Sequence, residues 1–215
     1  TDNAFLNPFT ITCVDIHRDG IYRINFHQLI IKGLSDNTFN YSQMKVSAKE
    51  FTVNFIFNFY DIEFLEDTLR KLGVSNWKIK IHEGETLGQA DSVRYALNGE
   101  FSDEELFIFN IDTILYDFKK ELLINKAGYL EVFQGIGSHW SFVKPSNLVP
   151  GQAEQVVEKQ RISSLCSNGL YNFSSLNLYI NLFEYYIKNE WDKNSELYVA
   201  PIYQTAINLN RIVSY

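Results

Sequence analysis

The sequence predicts an α/β fold: a mostly parallel mixed sheet flanked by helices. Two observations carry this. Short, β-rich apolar runs recur through the first half, at "VNFIFN" (53–58), "WKIKI" (77–81) and "LFIFN" (106–110). Between them lie stretches whose apolar residues fall at helical spacing, which gives the β-α-β-α-β alternation of a sheet covered on its faces. With 215 residues, 46% hydrophobic and 15% aromatic, the chain has ample material for a packed core. It reads as one domain, residues 1–215.

Taken in order, a first strand lies in "TITCVDI" (10–16) and a second in "VNFIFN". The following "DIEFLEDTLRKLG" places Ile62, Leu65, Leu69 and Leu72 on one helical face, with Asp61 to cap the helix and Gly73 to end it. After "WKIKI", a helix from about Leu87 to Leu97 carries Ala90, Val93 and Leu97 on one side. The second half is less regular. It offers strands at "GYLEVF" (128–133), "WSFVK" (140–144), "VVEK" (156–159) and "NGLYNF" (168–173), then a helix from Ser175 to Asn189. A last helix begins at Pro201, since proline suits a first helical turn. The segment "KPSNLVPGQAEQ" (144–155) holds two of the four prolines and reads as a surface loop.

Composition excludes several classes. Nineteen basic against twenty-six acidic residues give a net charge of −7, with no dense Lys/Arg stripe, so nucleic acid is not an expected partner. No apolar run reaches the length of a membrane span and no signal-peptide pattern opens the sequence, so the expected location is cytoplasmic. Cys13 and Cys166 are too few for a disulfide framework and read as small buried hydrophobes. His17, His27, His82 and His139 show no metal-ligand spacing. In "GIGSHW", His139 and Trp140 form either a plain loop around a buried tryptophan or a lip on which a ring stacks.

Three places can carry chemistry. In "ETLGQAD", Thr86 and Gln89 have capping-box spacing; equally, Gly88 admits close approach to the backbone and Gln89 offers a donor and an acceptor to a base edge. In "LFIFNIDT" a buried strand delivers Asp112 to the carboxyl edge of the sheet, where its carboxylate either binds a hard cation or caps a turn. In "VVEK", Lys159 ends a strand as a point charge for phosphate with Glu158 beside it, or the two are a solvated surface pair.

The ordered set "TLGQA", "LFIFNIDT", "VVEK", "SSLCSNGLYNF" and "SELYVAPIY" resembles the sugar-phosphate and small-molecule nucleotidyltransferases of the GT-A-like (Rossmann-like) nucleotide-diphosphosugar fold, and looks closest to short members from bacterial capsule gene clusters. The resemblance runs from about Phe51 to Tyr215. It implies that Leu87, Gly88 and Gln89 meet the base of a nucleotide or nucleotide-sugar. Asp112 would bind the nucleotide through Mg²⁺ (or Mn²⁺), and Lys159 would contact phosphate. Glu158, Asn168 and Gly169 would face the sugar or other small phosphorylated acceptor. The implied setting is bacterial surface-polysaccharide biosynthesis. The implied reaction is nucleotidyl transfer, with a glycosyltransferase and a catalytically degenerate binding protein as the alternatives.

Two departures from the family stand out. Its glycine-rich G-x-G-x-R loop and P-K pair are replaced here by "HRDGIYRINFHQLIIKG", where Gly20 is the single loop glycine, His27 stands in place of the lysine, and Arg18 and Arg23 are the available charges. Because phosphoryl transfer depends on positioning and charge neutralisation, this change predicts slow or absent NTP turnover. The second metal-binding Asp that many members carry after a Glu-Leu pair falls on Pro201, leaving Asp91 and Asp117 as alternative carboxylates.

Overall fold

The structure, a computed structural model, describes the backbone of residues 9–14, 51–57 and 77–81, residues 86–99, 102–110 and 123–215 with their side chains, and a few positions between these. Among the described residues nine strands form one sheet: β1 (Phe9–Val14), β2 (Phe51–Phe57), β3 (Trp77–Ile81), β4 (Glu105–Asn110), β5 (Gly128–Gln134), β6 (Ser141–Pro145), β7 (Ala153–Glu158), β8 (Leu165–Phe173) and β9 (Val213–Ser214). Three helices are described in full: α1 (Gln89–Ala96), α2 (Leu176–Asn189) and α3 (Ala200–Asn208). Of the helix expected after Asp61, Glu63, Glu66, Asp67 and Arg70 are helical, and Arg70 bonds Glu66 one turn away at 2.7 Å.

The strand order is β3-β2-β1-β4-β8-β5-β9, with the β6–β7 hairpin attached to β8. Strands β3, β2, β1 and β4 run parallel, an arrangement that needs crossover connections rather than tight turns. β1 lies between β2 and β4, so "VNFIFN" and "LFIFN" share the sheet without being neighbours. The sheet is mixed and not strictly parallel, because β8 runs antiparallel to both β4 and β5. β6 and β7 pair antiparallel across a short connection that can only reverse the chain. That connection is narrower than the loop expected at 144–155, since β6 continues through Pro145 and β7 begins at Ala153.

Strand order runs backward from β1 to β3 and jumps to β4 on the other side of β1. Such a reversal opens a crevice beyond the carboxyl ends of the two flanking strands. Here those ends are Val14 and Asn110, which are partners in the parallel register.

The core packs around the strand that leads to this edge. Leu106, Phe107, Ile108 and Phe109 of β4 are all buried, as expected of a strand covered on both faces. Phe173 stacks on Tyr203 at 4.4 Å and meets Tyr179 edge-on at 5.0 Å. Helix α2 starts where expected, with Ser175 Oγ accepting from the Leu178 N–H at 3.0 Å. Cys166 is buried and free, whereas the side chain of Cys13 lies outside the described residues. Among the described residues, no helix is long and apolar enough to cross a membrane.

Candidate functional site

Helix α1 starts without a side-chain cap: its N-cap is Gly88, at φ 137° and ψ −172°. The capping box expected of Thr86 and Gln89 does not form. Thr86 Oγ1 accepts from the Ser92 hydroxyl at 3.1 Å, and Gln89 Nε2 donates across to Asn110 Oδ1. Other partners hold the helix start instead. The Leu87 N–H donates to Asp91 Oδ2 at 2.9 Å, so Asp91 is engaged at the helix start. The Leu197 N–H donates to Leu87 O at 2.7 Å, and the Ala90 N–H to Leu197 O at 2.9 Å.

Glycine at position 88 follows from this packing. A Cβ there would lie 2.6 Å from both Glu196 Cγ and Leu197 O, and the backbone angles belong to a region open essentially to glycine alone. Gly88 and Gln89 are buried, whereas Leu87 is 55% exposed. Leu87 therefore presents the surface of this turn, and the next two residues build it from below.

From Gln89 the connection passes to the end of β4 and on to β8. Gly169 has φ +91°, and a Cβ there would fall 2.7 Å from Asn110 Nδ2. Asn168 Oδ1 accepts from the Leu170 N–H at 3.0 Å, within the stretch of β8 that brings Gly169 against Asn110.

The other side of the site gathers charge. Lys159, immediately after β7, has φ +53° and sends its ammonium to the Tyr198 hydroxyl, which in turn donates to Glu196 Oε2. Glu158 Oε2 accepts from the Ser141 hydroxyl, which lies 3.3 Å from Tyr171 Oη. Burial pushes the Glu158 carboxyl above its ordinary value, the Ser141 bond and the Lys159 charge pull it back, and Glu196 pushes it up again. The Tyr198 bond, against some desolvation, holds the Lys159 ammonium protonated beyond the usual lysine range.

The structure thus joins segments far apart in sequence. Gly88 touches Glu196, Glu196 bonds Tyr198, Tyr198 bonds Lys159, and Gln89 reaches Gly169 through Asn110. Asp112, two residues past Asn110, lies outside the described residues, as do His17, Arg18, Gly20, Arg23, His27, His82 and Asp117. Pro201 lies in the first turn of α3, as expected. The His139–Trp140 loop is a folded unit in which Trp140 Nε1 donates to Ile136 O at 3.0 Å and the ring meets Phe133 edge-on at 5.1 Å. Sequence reasoning passed over Asn110, Ser141 and Tyr198, whereas Tyr171 falls in the "NGLY" stretch assigned to the acceptor side. Only their neighbours in the quoted motifs pointed toward them.

No protein-family model and no curated protein matches this chain. Solved structures do. A nucleoside-diphosphate-sugar pyrophosphorylase from Vibrio cholerae RC9 is 27% identical with a TM-score of 0.70, covering 96% of this chain and 91% of that one. An inositol-1-phosphate CTP transferase from T. maritima is 13% identical with a TM-score of 0.59, covering 97% and 84%. A UDP-glucose pyrophosphorylase in complex with UDP-glucose is 11% identical with a TM-score of 0.60, covering 97% and 90%. The fold is therefore a GT-A-like nucleotidyltransferase fold, and the chain is nucleotidyltransferase-like.

Proposed function

We propose that this chain is a single cytoplasmic domain that binds a nucleotide or nucleotide-sugar at the β1–β4 edge. The transfer for which the site is built moves a nucleotidyl group to a phosphorylated small molecule, in bacterial capsular or other surface-polysaccharide biosynthesis. One observation carries this reading: the "TLGQA", "LFIFN", "VVEK", "NGLY" and "SELY" segments, each with a plain explanation alone, come together through the Gln89–Asn110, Lys159–Tyr198 and Tyr198–Glu196 bonds and the close backbone approach of Gly88 to Glu196 and of Gly169 to Asn110, by the edge where such folds hold ligands. The similarity to a nucleoside-diphosphate-sugar pyrophosphorylase over 96% of the chain supports it.

In this reading Leu87 offers an apolar surface to the base over the turn that Gly88 and Gln89 build. Lys159 holds phosphate, and Glu158, Asn168 and Gly169 face the acceptor. An acceptor phosphate oxygen attacks the α-phosphorus of an NTP, the bond to the β-phosphate breaks, and pyrophosphate leaves. The charge of Lys159 offsets the negative charge that both substrates bring to the edge. Among the described residues no three His, Cys, Asp or Glu side chains lie together as a cation site. The cation falls to Asp112 in this reading, where Mg²⁺ or Mn²⁺ would neutralise phosphate charge.

Calorimetry with common nucleotides and nucleotide-sugars, with Mg²⁺ and then with chelator, tests the reading. Binding is expected to depend on the cation. Asp112→Asn should abolish that dependence with the fold intact, and Lys159→Ala should weaken nucleoside diphosphates about tenfold while sparing nucleosides. Pyrophosphate release with a sugar phosphate would establish nucleotidyl transfer. Transfer from a nucleotide-sugar would make the chain a glycosyltransferase, and saturable binding without turnover a degenerate binding protein. No heat with any ligand at millimolar concentration would overturn the proposal.

A further inference from the structure

Lys159 leaves β7 with φ +53°, a conformation that side-chain-bearing residues adopt at a cost. From there its ammonium reaches Tyr198. Because an ammonium has no acceptor and a carboxylate no donor, the chain of bonds has one direction: Lys159 Nζ donates to Tyr198 Oη, and the phenol donates its own proton to Glu196 Oε2. The ammonium lies 4.4 Å from the Tyr198 ring centroid, which goes with a bond at the hydroxyl end of the ring rather than a cation seated over its face. Among the described residues the Tyr198 hydroxyl takes one of its three donors, and the other two can serve an anion.

Tyr198 is itself located by its neighbour. Leu197 is bonded through both its N–H and its C=O to the start of α1, at Leu87 and Ala90. Glu196, the far end of the relay, packs against Gly88. The hydroxyl that holds Lys159 is therefore registered on the same turn that carries Leu87. A lysine free in water loses considerable rotamer entropy when it binds phosphate, and one already held loses less.

We infer that Tyr198 is a positioning residue: through its hydroxyl it fixes where Lys159 presents its charge, and so sets the affinity of the site for phosphate-bearing ligands. This rests on the reading of Lys159 as the phosphate contact. Glu158, Glu196 and Tyr198 all support the protonated ammonium, and the Tyr198 bond contributes most.

The test uses the whole chain, Tyr198→Phe, which keeps the half-buried ring and removes only the hydroxyl, and Lys159→Ala. Calorimetry compares nucleoside diphosphates with the corresponding nucleosides. NMR of ¹³Cε-labelled lysine, with Lys159 identified by its loss in Lys159→Ala, follows the ammonium titration without any ligand. Tyr198→Phe should weaken diphosphate binding about tenfold, on the scale of a hydrogen bond to a charged group, and leave nucleoside binding unchanged. It should also lower the titration midpoint of Lys159. An unchanged midpoint overturns the inference, as does full diphosphate affinity in Tyr198→Phe when Lys159→Ala has lost it. Equal diphosphate affinity in the parent and Lys159→Ala overturns instead the phosphate reading of Lys159, and the inference falls with it.

Discussion

Glu158 shows how a single position links stability to the chemistry of the site. Its carboxylate is partly buried and held by Ser141, and burial raises its proton affinity in the folded state above that in the unfolded chain. The folded state therefore favours the protonated form. The associated stability is fully present below the ordinary glutamate range and is lost as pH rises through the raised folded value. Glu158→Gln, which mimics the protonated carboxyl, should remove this loss. Urea denaturation at a series of pH values is expected to show the parent losing stability relative to the variant across that window, with no further change at higher pH. Parallel curves would show that the carboxylate is as well solvated folded as unfolded. Position 159 carries the same lesson from the other side. "VVEK" is an ordinary strand ending in sequence, and only the observed φ of +53° and the reach to Tyr198 distinguish its lysine from a surface charge.

At the scale of elements, α1 and α2 begin in different ways. Ser175 caps α2 locally, so its start was legible in the sequence to within one residue. The start of α1 has no local cap, and its backbone groups are met instead by Leu197, more than a hundred positions away. Thr86 and Gln89 had the right spacing for a capping box, but Gln89 bonds Asn110 instead, on a strand end that local pattern cannot bring into view. Gly88→Ala is expected to destabilise the protein by about 3 kcal/mol or more, because it combines a backbone region closed to alanine with overlap against Leu197 O at 2.6 Å. The measurement is the urea midpoint, supported by faster amide exchange along α1. A change below about 0.5 kcal/mol would mean that the turn relaxes freely and that the close approach is not required.

For the whole molecule, a short segment at the end of the described chain joins several parts. Val213 and Ser214 pair with Gly128 and Tyr129, the Ala127 N–H donates to Ile212 O at 2.7 Å, and the Tyr215 N–H donates to Gly151 O at 3.2 Å. Removing residues 211–215 would uncover the edge of β5 and give up the fully buried Val213, so a loss of about 2–4 kcal/mol is expected. Denaturant unfolding checks the loss, and amide exchange at Ala127 locates it. A stability equal to that of the parent would show that β5 needs no partner on that side. What the sequence determined alone was local: most strands and helix starts, the buried Cys166, and a set of motifs in a meaningful order. Hydrophobic periodicity and capping chemistry act over a few residues, so a few residues reveal them. The irregular second half also pointed to an added mixed or antiparallel portion, but tertiary structure alone decided that β1 separates β2 from β4, that β8 lies antiparallel between β4 and β5, and that Lys159, Tyr198, Glu196 and Gly88 form one connected edge. Those outcomes depend on which surfaces meet after folding, when closing long loops is repaid by burial and bonds between distant residues, and no local spacing encodes that.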